Sequence, residues 1–404
     1  MAQANQISSH NQTAALEKFD HKSHYGKVAI LPTSPKAVIE DYARLLDIIN
    51  YQQIFDHNHD IILKINLSWT KFFPACSTPP WALDGVIRKL KSDKYSRIIP
   101  LENHTVVTDP FKGAKFNKWT NTFDRENLEY VALPNVKWVP FKPKHDMMAM
   151  DELFNPILIP ECFLNSYVIH LPTVKVHGHT VTTGAMKNAF GGLIPKYRHH
   201  SHKVIHEVLV DLLAIQQEIH PKTLAVMDGT VCGNGAGPRT MIPYIGNLIL
   251  ASFDQVAIDA LSAKIMGFDP LKIPYIKMAH DLGLGIGDVD QIDIVGMDSS
   301  EVKSLNFNFK SKRSLVIEWD QRLRITTANV KWLHWLHRFL FYSGFFRLFI
   351  FGSEAYHDYF WYPAIGKHRI NKFLRADHGW GKLFQSYPLG KPRKYPEIRE
   401  WDPY

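Results

Sequence analysis

Short apolar runs alternate with segments of helical periodicity between residues 26 and 300. The runs are rich in β-branched residues, which is typical of strands that are covered on both faces. Strands that alternate with helices favour an α/β fold with mainly parallel sheets and flanking helices. Such runs predict strands at residues 27–32, 60–67, 96–103, 166–176, 222–228, 247–253 and 291–297.

Two of the predicted helices have recognisable boundaries. Residues 203–219 place apolar side chains on one stripe and charged side chains on another, and Pro221 closes the segment. Asp254 predicts the N-cap of a second helix that runs to Gly267. Both helices lie between predicted strands, as an α/β fold requires.

The chain divides into four predicted parts. Residues 1–25 are polar and lack the apolar stretch of a secretory signal, so we expect them to be disordered. A Pro- and Lys-rich stretch at 134–150 predicts a boundary between two α/β halves that form a cleft. The halves are residues 26–150 and 151–300, and residues 301–404 form an aromatic, basic C-terminal extension.

The composition is that of a globular protein, because 45% of the residues are hydrophobic and 21% are charged. The three cysteines are far apart, which argues against a disulfide framework, a zinc site or an iron–sulfur cluster. A reducing, cytoplasmic location is the simplest expectation. No run of about 18 apolar residues predicts a membrane-spanning helix.

The net charge of +8 is concentrated in the C-terminal extension. Residues 301–404 contain 18 Lys and Arg against 9 Asp and Glu, and they hold 24 of the 50 aromatic residues. The segment 329–352 favours either a helix in a membrane interface or a helix that packs on the core, and both interpretations stay open. We therefore expect a membrane surface or an acidic protein as the partner of residues 329–404. Nucleic acid is not expected, because no recognised nucleic-acid motif appears.

The densest group of functional side chains lies between Lys175 and His206, where six of the 21 histidines occur. In an extended backbone Lys175, His177 and His179 project to one face. A His-x-His pair offers two imidazoles to a divalent metal, or it hydrogen-bonds and orients a substrate. Both interpretations stay open, with His177 and His179 as the candidate metal ligands.

The following segment predicts an anion site. Thr182, Thr183 and Gly184 are typical of a cap before a short helix, whose unpaired N–H groups attract an anion. Lys187 adds a point charge or an amine nucleophile one turn into that helix. Asn188 stands next to it as a further ligand candidate.

Two loops supply further ligand candidates. Arg198 and His200 precede a predicted helix, where a guanidinium fork suits a carboxylate or a phosphate, and a solvated loop is the alternative. The Gly-rich segment 228–239 favours a nest of backbone N–H groups for an anion, and it predicts the second wall of the site. Asp228 and Asn234 are its candidate ligands.

A last pair of candidates lies in the N-terminal half. Lys64 and Asn66 end one predicted strand, and Glu102 ends the next. Because α/β sheets bind ligands at the carboxyl ends of parallel strands, we add Lys64 and Asn66 to the predicted ligand-binding residues.

Several blocks together resemble the domain of unknown function 362 family. Many members carry an added ferredoxin-like cysteine cluster, which this chain lacks, so an iron–sulfur role is not implied for it. The resemblance covers about residues 26–300 and promises no particular reaction. The matching blocks are LKINLSW (63–69), PTVKVHGHTVTTGAMKNAFGG (172–192), VMDGTVCGNGAGPR (226–239), FDQVAIDALSAKIMGFDP (253–270) and GLGIGDVDQIDIVG (283–296).

A fainter similarity exists to lactate-racemase-type, nickel-pincer enzymes. They carry a His followed ten residues later by a Lys that holds the cofactor, across a T-G-G-x-K turn. His177 and Lys187 have this separation, but Ala185 departs from the pattern. The similarity implies a two-domain α/β enzyme that acts on a small organic acid.

These observations lead to two hypotheses. In the first, the protein is an enzyme whose interdomain cleft binds a small carboxylate or phosphate substrate or cofactor, with His177, His179 and Lys187 as catalytic residues. Its reaction class stays open. In the second, the protein is not catalytic and acts at a membrane surface or on a partner through residues 329–404.

Overall fold

The structure is a computed structural model that describes residues 21–105, 107–195, 198–313, 315–342, 346–391 and 394–400. Its strands are β1 (Lys27–Pro32), β2 (Ile61–Ile65), β3 (Ile98–Glu102), β4 (Val131–Ala132), β5 (Trp138–Pro140), β6 (Leu158–Pro160), β7 (Tyr167–Leu171), β8 (Thr173–His177), β9 (Val181–Thr182), β10 (Thr223–Ala236), β11 (Thr240–Ser252) and β12 (Asp293–Val295).

The α-helices of the described residues follow in chain order. They are α1 (Val38–Ile48), α2 (Pro80–Ser92), α3 (Pro110–Phe116), α4 (Thr120–Arg125), α5 (Met150–Leu153), α6 (Ala185–Leu193), α7 (Ile205–Ile219), α8 (Gln255–Met266), α9 (Pro274–Asp281), α10 (Ser299–Ser304), α11 (Leu315–Asn329), α12 (His334–Tyr342), α13 (Phe346–Ala355), α14 (Lys367–Arg375) and α15 (Trp380–Ser386). A π-helix at Tyr356–Gly366 connects α13 to α14.

Within the described residues, ten strands form a mixed sheet. The order along it is β12-β1-β11-β10-β7-β2-β3-β4, and β8 joins through β10 and carries β9. Parallel pairing links β4 to β3, β3 to β2, β2 to β7, β7 to β10, and β12 to β1. Strand β11 runs antiparallel to its neighbours β1 and β10. The predicted α/β fold with a mainly parallel sheet is confirmed.

Side chains of the central strands alternate between two apolar cores. In β7, Val168 packs in the core formed with α6, α7, α8 and α9, whereas Ile169 packs in the core formed with α1 and α2. Ile62 and Leu63 divide in the same way in β2. This period of two, with helices over both faces, explains why the strands appear in the sequence as nearly continuous apolar runs.

The Gly-rich segment 228–239 differs from the predicted loop. Strand β10 continues through it to Ala236 and forms a long hairpin with β11, with a register shift between Gly229 and Val231. Strand β11 supplies hydrogen-bond partners for the backbone of this segment, so an extended ladder is favoured over a loop. The expectation of a nest of free N–H groups is therefore corrected.

The predicted boundary at 134–150 does not divide the sheet. Strands β2 and β3 precede it and β7 and β10 follow it, yet β2 and β7 are hydrogen-bonded neighbours. Residues 26–150 and 151–300 therefore contribute to a common sheet. Consequently, the site described below lies at the carboxyl ends of neighbouring strands of that sheet.

Helix α8 begins and ends as predicted. The Asp254 side chain accepts hydrogen bonds from the N–H groups of Val256 and Ala257, and Gly267 follows the helix with a left-handed φ of 100°. An N-cap carboxylate and a glycine at the C-terminus act within one turn, so local sequence suffices to recognise them.

The first described residues contact the core. Residues 22–24 form a short 3-10 helix, and His21 Nε2 lies 3.1 Å from the carbonyl oxygen of Gln217. Residues 21–25 therefore contact the core, and disorder of the segment 1–25 as a whole stays a prediction. The remainder of that predicted disordered segment, residues 1–20, lies outside the described residues.

The C-terminal extension has two different parts. Between residues 356 and 391, Trp361, Phe373 and Trp380 are buried in the core that contains α1 and α2. In α12 and the turn before it, large aromatic side chains are instead exposed. None of the helices in the described ranges is both long enough and apolar enough to cross a membrane.

Candidate functional site

A small polar cavity lies where the carboxyl ends of β2 and β7 meet, which is the usual ligand position in an α/β sheet. Asn66 follows β2 and Pro172 follows β7, so the parallel pairing of these strands brings them together. His177 ends β8, and α6 contributes Lys187 and Asn188. The cavity has a volume of about 40 Å³, and its other lining residues are Ser68, Thr183, Gly184 and Pro238.

Lys187 is the one lysine or arginine among the described residues that line this cavity. Among the described residues its ammonium has no hydrogen-bond or ion-pair partner, and Nζ lies 5.3 Å from the centroid of the Phe190 ring. Desolvation, followed by the charges of Arg198 and Lys175, lowers the pKa of Lys187 to about 7. An ammonium in such surroundings is stabilised by a negative charge that these side chains do not supply.

Lys175 is fully buried, and only neutral oxygens contact its ammonium. Its Nζ donates to Asn66 Oδ1 at 2.5 Å, to the Cys76 carbonyl at 2.6 Å and to Thr173 Oγ1 at 2.9 Å. These three bonds use all three ammonium protons. Burial lowers the pKa of Lys175 to about 8. Lys175 therefore acts as a fixed positive charge that orients Asn66, and it has no proton left to donate to a ligand.

The His177 imidazole is neutral and its tautomer follows from one hydrogen bond. Its Nδ1 accepts the backbone N–H of His179 at 3.1 Å, so Nδ1 carries no proton and the neutral ring carries its proton on Nε2. Burial, and then the charge of Lys187, lowers the pKa of His177 well below its usual range. His177 is therefore a neutral hydrogen-bond donor, suited to polarise an oxygen atom.

The two asparagines of the cavity hold each other in place. Asn66 Nδ2 donates to Asn188 Oδ1 at 3.3 Å, and Asn188 Nδ2 donates to the Lys64 carbonyl at 2.9 Å. This chain of hydrogen bonds links β2 to α6 across the cavity. It positions the helix that carries Lys187.

Lys64 and Arg198 have internal partners, and their ligand-binding roles stay predictions. Lys64 Nζ lies 2.6 Å from Glu102 Oε1, and both side chains are buried. Arg198 is also buried, and its Nη1 donates to the carbonyls of Phe190 and Ile194 at 3.0 and 2.9 Å. Arg198 therefore closes the carbonyl end of α6.

Comparison with protein families identifies the chain. The model of the family described as domain of unknown function (DUF362) matches residues 61–264, just over half of the chain. The chain belongs to this family. The match includes every lining residue of the cavity, so the cavity is part of the DUF362 domain.

A curated protein is also similar to part of this chain. The thylakoid-associated protein sll1697 of Synechocystis sp. is 31% identical to this chain over 121 residues, which are 29% of this chain. The matched part covers 37% of that protein, so the chain spans well under half of the relative's length. No solved structure matches the chain.

An internal carboxylate occupies the helix N-terminus at which we predicted an anion. Asp259 of α8 accepts hydrogen bonds from the N–H groups of Ala185 at 2.6 Å and Met186 at 3.2 Å. Gly184 is the N-cap, and a Cβ there would overlap this carboxylate. The N-terminus of α6 in this DUF362 chain is therefore a structural contact between two helices, and a ligand at this N-terminus stays a prediction.

Three other predicted ligand residues lie away from the cavity wall. Thr182 Oγ1 lies 3.0 Å from the Tyr275 hydroxyl, and Asn234 Oδ1 accepts the backbone N–H of Lys310. Asp228 lines a separate cavity of about 20 Å³. The ligand roles of Thr182, Asn234 and Asp228 therefore stay predictions, with these side chains outside the cavity wall.

The Asp228 carboxylate is already saturated with hydrogen bonds. It accepts from the Tyr42 hydroxyl at 2.7 Å, from Trp81 Nε1 at 3.1 Å and from Thr230 Oγ1 at 2.8 Å. Burial raises the pKa of Asp228 to about 6. These contacts tie α1 and α2 to β10, so Asp228 has a structural role.

The histidines form a row beside the cavity. The ring centroids of His177 and His179 are 5.7 Å apart, and those of His179 and His202 are 4.9 Å apart. Within the described residues, no group of three or more His, Cys, Asp or Glu is arranged to hold a metal ion. The side chain of His200 lies outside the described part of the chain. The described residues therefore supply no third metal ligand beside His177 and His179.

The sequence analysis missed three lining residues, Ser68, Pro172 and Pro238. Pro172 lies inside the predicted strand 166–176 and Pro238 ends the Gly-rich run, and a proline that interrupts a strand pattern marks a place where pairing stops. The segment 228–239 does supply part of the predicted second wall, but through Pro238. Nothing in the sequence predicted a functional role for Ser68, because a single serine after a strand is a common turn residue.

Proposed function

We propose that the cavity binds a small anionic substrate or cofactor and that the protein is an enzyme acting on this ligand. One observation carries the proposal: the Lys187 ammonium lines a polar cavity that no carboxylate lines, and the buried Lys175 ammonium donates to Asn66, another lining residue. Buried charges are normally paired, so unpaired cations around an accessible space favour an anionic ligand. Lys187 is the group with free protons, and it makes the direct contact.

The chemistry available to such an enzyme follows from the same residues. The Lys187 ammonium holds the anion, and the neutral Nε2–H of His177 is able to polarise an oxygen of the ligand. In its deprotonated form, Lys187 is an amine nucleophile. The comparisons with known proteins give no support to the similarity with nickel-pincer enzymes, so nickel is not part of this proposal.

Replacing Lys187 by methionine is the direct test. We expect the affinity for small anions to fall by about tenfold or more, because the change removes the one unpaired ammonium at similar volume. The free energy of unfolding should stay the same or rise, since an unpaired buried charge is lost. Isothermal titration calorimetry with phosphate, sulfate, acetate and lactate measures the first quantity, and urea denaturation measures the second.

The matched control is Lys203→Met, at an exposed lysine shortly before α7. This variant should bind anions as the wild-type protein does. The proposal is wrong if the wild-type chain binds none of the four anions, or if Lys187→Met binds them as tightly as wild type.

A second candidate function is favoured by α12. Trp332 and Trp335 are 73% and 66% exposed and Phe339 is 48% exposed, at a spacing that places them on one helical face. Leu340, the residue after Phe339, is buried, so α12 contacts the rest of the protein while its aromatic face points to solvent. Tryptophan beside basic residues is typical of helices that lie in a membrane interface.

The surrounding charge and the relative support this candidate. Residues 310–351 contain 8 Lys and Arg against 2 Asp and Glu. One relative is named a thylakoid-associated protein. We propose a cytoplasmic, membrane-peripheral location in which this aromatic face contacts anionic lipid; an acidic protein is the alternative partner.

Vesicle binding tests the second candidate. The triple variant Trp332→Ala, Trp335→Ala and Phe339→Ala should bind vesicles containing anionic lipid about tenfold more weakly than wild type, because it removes the inserted apolar surface. Cosedimentation at low and high salt gives the affinities. A control triple at Phe116, Met148 and Leu282, which are exposed elsewhere, should bind as wild type does. Failure of the full chain to cosediment would eliminate the candidate.

A further inference from the structure

The side chains around the cavity carry more positive than negative charge. Lys64, Lys175 and Arg198 are all buried, and Lys187 is half-buried beside them. Lys187 and Arg198 share a neighbour, because both lie over the Phe190 ring, at 5.3 and 5.0 Å from its centroid. Of these four cations Lys187 lines the space of about 40 Å³, and Lys175 is one hydrogen bond away from it, because its Nζ donates to the lining residue Asn66 at 2.5 Å.

Two carboxylates lie nearby, and each already has partners. Glu102 accepts from Lys64 Nζ at 2.6 Å and from two backbone N–H groups. Asp259 lies behind Gly184 and is held by the first N–H groups of α6. Among the described residues, neither Lys175, Lys187 nor Arg198 has a carboxylate within ion-pair distance.

We propose that the ligand of this cavity is a doubly charged oxyanion of phosphate size, either free phosphate or the phosphoryl group of a larger molecule. This inference rests on the proposed function and names its ligand class. A monocarboxylate would leave at least one buried ammonium without a counter-charge, whereas a dianion balances Lys175 and Lys187 together. In a poorly solvated site each unbalanced charge is expensive, so charge number decides between these ligands.

The protonation of the lysines is consistent with a dianion. Burial lowers the pKa of Lys187 to about 7 and that of Lys175 to about 8, because desolvation disfavours the charged forms. A bound dianion would raise both pKa values, because it stabilises the protonated forms. Binding therefore draws protons onto these lysines from solvent at slightly alkaline pH.

The cavity volume restricts how much of the ligand it encloses. A volume of about 40 Å³ accommodates one oxyanion group and leaves no room for a sugar or a ring beside it. Any larger ligand must extend outward past the lining residues. Free phosphate and a phosphate monoester therefore share the same contacts with Lys187 and His177.

Calorimetric titration of the full chain tests the inference. The probes are inorganic phosphate, glycerol 3-phosphate and acetate at about pH 8, where phosphate groups carry two charges. We expect wild type to bind one of the phosphates at least about tenfold more tightly than acetate. In Lys187→Met this preference should shrink to about threefold or less, and Lys203→Met should retain it. Circular dichroism verifies folding, and Lys187→Gln replaces the methionine variant if that variant does not fold.

The possible results distinguish an error in the proposed ligand class from the absence of an anion site. Tighter binding of acetate than of both phosphates overturns the dianion and leaves the anion site standing. Absence of binding by all three probes overturns both proposals. Preference for glycerol 3-phosphate supports a monoester as the source of the phosphoryl group, and preference for inorganic phosphate supports the free ion.

Discussion

Replacing Glu102 by glutamine is expected to lower the free energy of unfolding by about 3–5 kcal/mol, because it breaks a buried ion pair from one side. Glu102 is the carboxylate that pairs with Lys64, and both side chains are buried. Burial raises the pKa of Glu102 and lowers that of Lys64, and the attraction between the two charges opposes both shifts. Without the carboxylate, Lys64 becomes a further unpaired cation beside Arg198. Urea denaturation followed by circular dichroism measures the loss.

The matched control is the surface pair of Lys137 and Glu161, whose nitrogen and oxygen are 2.7 Å apart with the lysine largely exposed. Glu161→Gln should change the free energy of unfolding by about 1 kcal/mol or less, because solvent screens exposed pairs. If Glu102→Gln and Glu161→Gln lowered the free energy of unfolding equally, the buried Glu102 would not be needed to stabilise the charge of Lys64.

Gly184→Ala should also destabilise the protein strongly, by about 3 kcal/mol. The added Cβ would overlap the Asp259 carboxylate, which must then leave the N–H groups of Ala185 and Met186. Both N–H groups lose their partner in the core. Helix α6 shifts in consequence, and it carries Lys187, so anion affinity should fall with stability. Denaturation and calorimetry on the same sample measure the two effects.

Gly352→Ala provides the comparison within another helix. Gly352 lies in α13 with no atom within 4 Å of an added Cβ. Alanine is the better helix former by about 1 kcal/mol, so this variant should be as stable as wild type or slightly more stable. If Gly184→Ala behaved like Gly352→Ala, the close contact between Gly184 and Asp259 would not exist in solution.

The position of Asp259 also changes how the anion site is understood. A cap motif before Lys187 predicts that a ligand binds the helix N-terminus, and this region does lie next to the cavity. The anion that the N–H groups select is, however, the protein's own carboxylate. On the same helix, the Lys187 ammonium still faces the cavity and is the group that a ligand would contact. The favoured contact therefore moves from the backbone of residues 184–186 to the Lys187 side chain.

Local sequence determined the elements of this fold. Strand β1 occupies the six residues that its apolar run predicted, and Asp254 and Gly267 bound α8 as caps do. Such signals act over a few residues, so they survive without tertiary context. The cluster from Lys175 to Lys187 was recognisable for the same reason, because its polar residues interrupt an apolar pattern.

Tertiary structure decided which of these side chains have internal partners. Asp259 meets Ala185 across 74 residues of chain, and Asn66 meets Lys175 across 109. Neither contact has a local signature, since a carboxylate in a helix and an asparagine after a strand look the same with or without a partner. Strand β10 likewise continued through its glycines only because β11 pairs with it. Sequence alone therefore determined where the polar groups are. The packed sheet decided that Lys187, among the described cations around the cavity, has neither a hydrogen-bond nor an ion-pair partner, because distant chain segments neutralise or hydrogen-bond the others.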